Sequence, residues 1–126
     1  MSFRSATRYL AYAKKIDVKS TGAKLLFTLP SFSRFVRVEG LIICNEASGV
    51  SVAPTVSIGT NSPTYNNYEG PDLSTFTSSG RTAKILDGGV IGSSDAGGTD
   101  VYLNVTSGGT ATGNYNLNVI IEFYMV

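Results

Sequence analysis

The chain has 126 residues, a length that fits one domain. It contains 0 histidines and 1 cysteine, which excludes a Ser-His-Asp triad, a Cys-His dyad, a histidine-based zinc site and an internal disulfide. Lys and Arg number 10 against 9 Asp and Glu, and the resulting net charge of +1 argues against a chain that binds nucleic acid over its whole surface.

The first predicted element is a basic N-terminal arm over residues 1–15, which has no acidic side chain. The spacing of Phe3, Ala6, Leu10 and Ala13 fits a helical stripe, whereas the alternation over residues 9–13 fits an extended segment, and neither pattern is better than the other. The apolar stretch is too short for a secretory signal. We predict that one domain follows the arm, over residues 16–126.

Short strands are predicted next, because turn signals rich in Gly, Pro, Ser and Asn recur about every 8–12 residues. In the third strand, alternate apolar residues share one face, and Gly40 marks a bend or the entry to a covered region. Pro54 indicates an edge or a bulge. The strands of this half are predicted at residues 16–18, 24–29, 35–45, 50–52 and 55–58.

The second half begins with an irregular surface connection over residues 61–79, with one short strand near 74–77. The clearest alternation follows in two late strands, in which odd-numbered residues from 101 to 105 and from 115 to 123 are apolar. We expect these two strands to pair as a hairpin across the loop 107–113. The strands of this half are predicted at residues 83–86, 89–92, 101–106 and 115–125.

About eight strands without a repeat or a linker predict an all-β fold. The expected architecture is an antiparallel β-sandwich, a jelly roll with an N-terminal arm, in which the apolar last strand is central or covered. An immunoglobulin-like sandwich is the alternative, although the Cys…Trp…Cys pattern is absent. No apolar run approaches the roughly 20 residues that span a bilayer.

The net charge of +1 conceals an uneven distribution. Residues 1–37 hold eight Lys and Arg against one acid, a charge of +7, and residues 38–126 carry −6. The basic part can dock on its own acidic body or a sister subunit, bind another protein, touch nucleic acid, or form a solvated face. Its aromatic residues match no RNA-binding pattern, which makes protein contact the favoured function. The arm residues predicted to bind a partner are Arg4, Arg8, Tyr9, Tyr12, Lys14 and Lys15.

Carboxylates are the only side chains left for acid–base catalysis. Asp87, Asp95 and Asp100 lie near glycines, where Asp usually forms turns, and no spacing sets a glycosidase pair at about 5–9.5 Å. The Gly-Gly pairs match no phosphate-binding pattern. Cys44, in an apolar strand, is predicted to be a buried and unreactive thiol. We therefore predict no enzyme activity, no metal and no cofactor.

The connection over residues 61–79 contains a second candidate contact site. Its tyrosines and asparagines, Tyr65, Asn66, Asn67 and Tyr68, combine flat amphipathic rings with adaptable hydrogen-bonding groups. Such a group binds protein or sugar when it is exposed. The alternative is a loop whose tyrosines pack back on the sandwich.

The segment from Lys15 to Ala23, which runs into Leu26-Phe27-Thr28-Leu29-Pro30, resembles the start of small β-sandwich virion proteins of tailed bacteriophages. Residues 56–61 are similar to the same family, and so are the two late strands. The resemblance covers about residues 15–124 and rests on turn residues and alternation.

The resemblance implies a viral structural protein without enzymatic activity, located in the virion and assembled in the host cytoplasm. Members with this pattern include head decoration (cement) proteins and tail-associated adhesion modules. The first class implies a homotrimer that binds the major capsid protein or neighbouring virion subunits, with no nucleic acid and no membrane. The alternative is a tail-associated module that binds a receptor or a glycan through the 61–79 connection, but the absence of heptads favours cement.

Overall fold

The computed structural model describes residues 7–29, 35–73, 83–86 and 98–125, and in these ranges the chain forms strands and turns without a helix. No helix able to cross a membrane is found there. The strands are β1 (Thr7–Asp17), β2 (Gly22–Thr28), β3 (Phe35–Ala47), β4 (Val50–Val52), β5 (Thr55–Gly59), β6 (Glu69–Leu73), β7 (Ala83–Leu86), β8 (Asp100–Ser107), β9 (Thr110–Ala111) and β10 (Tyr115–Met125).

The strands form two antiparallel four-stranded sheets, which confirms the predicted sandwich. The first, named here the β1 sheet, has the order β1-β10-β3-β7, and the second, the β2 sheet, has the order β2-β8-β5-β6. A two-stranded ribbon of β4 and β9 completes the structure. The jelly-roll connectivity stays a prediction, because the connections at residues 30–34, 74–82 and 87–97 lie outside the described residues.

The core forms between the inner faces of the two sheets. Alternate residues of β8 and β10 are buried, as the sequence pattern predicts, and burying an aliphatic or aromatic side chain of this size stabilises the fold by about 1.5–3 kcal/mol. The fully buried large side chains are Val18, Leu29, Ile42, Ile58, Leu103, Tyr115, Leu117 and Ile121.

The predicted hairpin between the two late strands is wrong. β8 belongs to the β2 sheet and β10 to the β1 sheet, so the two strands face each other across the core. Two successive alternating strands bury their apolar faces equally well side by side or face to face, and alternation alone does not distinguish these cases. The connection forms β9, which pairs with β4, and Gly109 lies so close to the Tyr115 ring that a Cβ there would be 2.6 Å from it.

The predicted arm differs from the structure over residues 7–15. β1 pairs with β10 from Thr7↔Met125 to Asp17↔Asn116, so the arm boundary at residue 15 falls inside a strand. The physical reason is the apolar character of β10, which needs a neighbour on both sides and lies between β1 and β3. Residues 1–6 lie outside the described residues.

The remaining elements follow the predicted pattern with two changes, one at β6 and one at β9. β3 runs through Gly40 without a register shift, and β7 begins to pair with β3 at this glycine, which agrees with entry to a covered region. β6 starts within the predicted 61–79 connection. β9 adds a short strand in the predicted loop 107–113. The strands predicted at 74–77 and 89–92 lie outside the described residues.

Candidate interaction surfaces

The exposed residues of β1 include Tyr12, Lys14 and Lys15 of the predicted arm. Leu10 and Tyr12 are 65% and 48% exposed. The Lys14 ammonium lies 5.0 Å from the centre of the Tyr12 ring, within cation–π range. Backbone pairing places Arg8 opposite Tyr124 and Tyr9 opposite Phe123. Arg4 lies outside the described residues.

A β-bulge between Ala13 and Ile16 displaces Lys14 and Lys15 from the regular ladder. Lys15 has a φ of 54°, a left-handed conformation that is uncommon for a residue other than glycine. Its backbone N–H donates at 3.0 Å to Oδ1 of Asn118, a side chain of the neighbouring strand β10. Both lysine side chains are exposed at this bulge.

The hydrogen bond at Lys15 starts a relay of amide side chains across the outer face of the β1 sheet. Asn118 Nδ2 donates to Asn45 Oδ1 at 3.2 Å, and Asn45 Nδ2 donates to Asn116 Oδ1 at 2.8 Å. Asn116 Nδ2 then donates to Glu46 Oε1 at 3.1 Å. Every amide in this relay both accepts and donates, so each hydrogen bond polarises the next.

Glu46 accepts the last hydrogen bond of the relay. Asn114 Nδ2 donates to its other oxygen, Oε2, at 3.2 Å. Hydrogen bonds from Asn116 and Asn114 lower the pKa of the Glu46 carboxyl, and the positive charge of Lys15 lowers it further. The carboxylate is therefore held in its ionised form at one end of the β1 sheet.

Two other lysines of the basic half are engaged within the chain. Lys19 Nζ donates to the Gly113 carbonyl at 3.1 Å, and Lys24 Nζ lies 3.8 Å from Asp17 Oδ2. Partial burial acts to raise the pKa of Asp17, but the hydrogen bonds from the hydroxyl and N–H of Ser20 and from the N–H of Lys19 outweigh it, so the pKa is lowered. The side chains of Lys14 and Lys15, in contrast, project outward from the bulge.

The predicted contact loop is a closely hydrogen-bonded structure built around Asn61. Asn61 Oδ1 accepts the backbone N–H groups of Asn66 at 2.8 Å and Asn67 at 3.1 Å, and Nδ2 donates to Thr64 Oγ1 at 3.0 Å. Asn67 Oδ1 in turn accepts the N–H of Thr60 at 2.7 Å. The asparagine side chains therefore stabilise the conformation of the loop to which they belong.

The loop lies on the outer face of the β2 sheet and covers β5. Ser57 is fully buried there, and its hydroxyl donates to the Thr64 carbonyl at 3.2 Å. A Cβ on Gly59 would lie 2.1 Å from Asn67 Oδ1 and 2.8 Å from the backbone nitrogen of Asn66. Glycine at position 59 is thus what allows the loop to approach the strand.

The two tyrosines of the loop have different environments. Tyr68 is 5% exposed and belongs to the core, as in the alternative in which the tyrosines pack back on the sandwich. Tyr65, with a φ of 47°, packs its ring on Tyr102 with 4.8 Å between the ring centres. Leu25 lies opposite Tyr102 in the register and is 53% exposed. Leu25, Tyr65 and Tyr102 are named here the aromatic patch.

Sequence reasoning missed two members of the aromatic patch and the amide relay. Tyr102 has the polar parity of β8, and the alternation that placed Val101 and Leu103 in the core also assigns Tyr102 to the outer face. The relay has a comparable signal, because Asn116 and Asn118 alternate with buried residues of β10. The sequence does not indicate which strand lies beside each of these residues, and the contacts depend on that strand.

Of the three carboxylates considered for catalysis, Asp100 lies in the described residues. Asp100 Oδ1 accepts a hydrogen bond from Thr28 Oγ1 at 2.6 Å, and the Tyr102 hydroxyl donates to Oδ2 at 3.5 Å. Asp87 and Asp95 lie outside the described ranges. No cluster of three potential metal ligands occurs among the residues that the structure describes.

Cys44 lies in the core, as predicted. Burial raises the pKa of its thiol and keeps it protonated.

Comparison with models of protein families and with curated protein sequences gives no match. Solved structures with the same fold do exist. The chain is similar to a chain of the cyanophage Pam1 capsid asymmetric unit, at a TM-score of 0.59 and 14% identity, covering 100% of this chain and 90% of that one. It is also similar to a chain of the capsid of Ralstonia phage GP4, at a TM-score of 0.61 and 16% identity, covering 96% and 84%. The chain therefore shares its fold with proteins found in phage capsids.

Proposed function

We propose that this chain is a virion structural protein of a tailed bacteriophage, a decoration or cement subunit that stabilises the head shell through protein contacts and has no enzymatic activity. The observation that carries the proposal is the fold. Two chains found in phage capsids share it over nearly the whole length of this chain. The virion is the corresponding location, and the major capsid protein or a neighbouring virion subunit is the corresponding partner.

The basic surface of β1 is the proposed attachment site. Lys14 and Lys15 are exposed at the bulge, beside the exposed Tyr12 ring. Lys19 and Lys24 are held by partners within the chain. An acidic surface on a shell subunit therefore meets two outward cations, whose complementary charge steers association, and an aromatic ring, a residue type enriched at protein interfaces.

The test neutralises the two outward lysines. Deleting residues 1–15 is unsuitable, because it removes most of β1 from its pairing with β10. We expect Lys14→Gln/Lys15→Gln to bind phage heads stripped of this subunit about twofold to thirtyfold more weakly, since each exposed ion pair contributes about 0.2–1 kcal/mol. Occupancy is measured by co-sedimentation of the purified protein with the heads.

The matched control is Lys19→Gln/Lys24→Gln, which removes the same charge from positions engaged within the chain. We expect its occupancy to stay at the wild-type level while circular dichroism shows both variants folded. Equal loss of occupancy in both variants would contradict an attachment site on β1. Absence of wild-type binding to the heads would contradict the cement function itself.

The resemblance to decoration proteins adds a homotrimer to the proposal. Light scattering of the purified protein is expected to give a mass that is a multiple of three chains of 13.3 kDa. A monomer would contradict this assembly.

A tail-associated module that binds a receptor or a glycan is the second candidate, and the aromatic patch favours it. Tyr65 and Tyr102 pack together beside the exposed Leu25, and tyrosine faces suit sugar rings or protein surfaces. Leu25→Ser alters an exposed position of the aromatic patch without removing either ring. Reduced adsorption of phage to host cells with unchanged head occupancy would favour this function over cement.

A further inference from the structure

The outer edge of β1 is the longest regular strand edge in the described part of the chain. Thr7 to Ala13 pair with β10 residue by residue, and the first irregularity follows Ala13. In the described residues no strand pairs with the opposite side of β1, which ends the sheet order. Its backbone N–H and C=O groups on that side are therefore available to another strand.

In the described residues, the other three edges of the two four-stranded sheets are protected against pairing. β6 has five residues and contains Pro71, which lacks an N–H, and β7 has four residues. β2 is interrupted by a register shift between Leu25 and Phe27. Short length, proline and bulges are the usual means by which proteins block edge-to-edge association, and the run from Thr7 to Ala13 shows none of them.

The same run carries exposed apolar side chains. Leu10, at 65%, and Tyr12, at 48%, are among the most exposed large hydrophobic residues that the structure describes. An open and regular strand edge favours association in water, and a strand added at this edge places its own side chains beside Leu10 and Tyr12.

We propose that β1 pairs antiparallel with β1 of a second copy of this chain, about a two-fold axis beside Leu10. The proposal goes beyond the cement function, because the contact joins two copies and needs no shell protein. The occupant follows from the register. Leu10 is the midpoint of the run from Thr7 to Ala13, so placing it opposite its own copy pairs all seven residues of the run.

The cross-strand pair of Arg8 and Tyr12 favours the same register. With Leu10 opposite Leu10, Arg8 lies opposite Tyr12, an arrangement of a cation and an aromatic residue that favours cross-strand pairing. Moving the centre to Ala11 pairs only residues 9–13 of the run, so Arg8 no longer lies opposite Tyr12.

Moving the centre to Tyr9 pairs only residues 7–11 of the run, which leaves out Tyr12. The register centred on Leu10 is thus favoured by its length and by the Arg8–Tyr12 pair.

The contact has a defined consequence for assembly. A two-fold strand pair joins two copies and no more, so the number of chains in the assembly must be even. In a trimeric protein the edge of each subunit then joins a neighbouring trimer, and the closed species is a hexamer or a larger even assembly.

Disulfide trapping tests the register. Opposite residues of an antiparallel pair have Cα atoms about 4.5–5.5 Å apart, within reach of a disulfide, so Leu10→Cys is expected to form a covalent dimer under mild oxidation. Tyr12→Cys is the matched control on the same face, because its two copies lie roughly 13 Å apart along the strands. Leu25→Cys gives the rate of disulfide formation by nonspecific collision. Cys44 remains in place, because it is buried.

We expect Leu10→Cys to cross-link at least about tenfold faster than either control, since thiols held opposite each other react at a high effective concentration. A rate for Leu10→Cys no greater than that of Leu25→Cys would overturn the proposal. Faster cross-linking of Tyr12→Cys would overturn the register.

Sedimentation equilibrium of the protein purified alone provides the second measurement. The wild type is expected to have a mass that is an even multiple of 13.3 kDa, and Leu10→Lys/Tyr12→Lys is expected to halve it. Leu25→Lys, at a similarly exposed apolar position, is expected to leave the mass unchanged.

An odd number of chains, including a monomer or a lone trimer, would overturn the strand pairing. That result leaves the cement function standing, because the cement function is measured by occupancy on heads.

Discussion

Hydrogen bonds to backbone and amide groups hold the polar residues of this chain. Asp17 accepts hydrogen bonds from the Ser20 hydroxyl at 2.7 Å and from two backbone N–H groups, and Glu46 accepts the amides of Asn114 and Asn116. These bonds favour the ionised carboxylates, and both pKa values lie below the ordinary range. A composition low in charge is thus compatible with well-defined polar contacts.

The lowered pKa values predict a loss of stability in acid. A carboxyl with a depressed native pKa stabilises the fold above its unfolded pKa, about 4 for Asp and Glu, and this contribution disappears as the pH falls through the native value. We expect the free energy of unfolding to fall from about pH 5 towards pH 2. Urea titrations at each pH measure it.

Glu46→Gln separates the contribution of the relay from general acid effects. The variant is expected to be less stable than the wild type at neutral pH and to show a shallower loss of stability in acid. If the free energy of unfolding of variant and wild type changes in parallel with pH, Glu46 has the same pKa in the folded and the unfolded chain.

Among the strands and loops, the loop over residues 60–68 shows how one glycine fixes the position of a whole segment. Gly59→Ala is expected to destabilise the protein by about 1–3 kcal/mol, because the added methyl group meets Asn67 Oδ1 and the backbone of Asn66. Urea unfolding followed by circular dichroism measures this loss.

Gly70→Ala is the control, since nothing lies within 4 Å of a Cβ at that position. Faster hydrogen exchange at Asn66 and Asn67 in Gly59→Ala alone would locate the effect in the loop. Equal stability of the two variants would contradict the steric argument.

The elements and their inner faces could be predicted from the sequence, but their partners could not. Alternation identified β10 and the burial of Leu117 and Val119, because a half-buried strand needs a side-chain period of two. The same pattern predicted a hairpin between β8 and β10 that does not exist, since the sheet to which each strand belongs depends on contacts distant in sequence. Tyr12 and Lys14 were identified by residue type, whereas the bulge at Lys15 depends on Asn118, far along the chain.

For the whole molecule, the separation of charge along the sequence is modified by the fold. β1 carries outward cations, but β10 and β3 beside it carry Glu122 and Glu46, so basic and acidic strands share one sheet. The Debye length decreases from about 10 Å at 0.1 M salt to about 3 Å at 1 M. Attachment through exposed lysines must therefore weaken as salt is added.

We expect binding of the wild type to stripped heads to decline steadily over this salt range. Lys14→Gln/Lys15→Gln is expected to show a smaller decline, and Lys19→Gln/Lys24→Gln to follow the wild type. Co-sedimentation at increasing salt measures these curves. Binding of the wild type that does not change with salt would contradict electrostatic attachment and indicate an apolar contact.

The pairing of β1 with β10 also fixes the order of events during synthesis. The first described strand has its main partner in the last one, so the β1 sheet cannot close until the final strand of the domain has left the ribosome. Until then Leu10 and Tyr12 lie on a segment without its strand partner. Joining such distant segments is slow, so Leu10 and Tyr12 are open to premature association until β10 is complete.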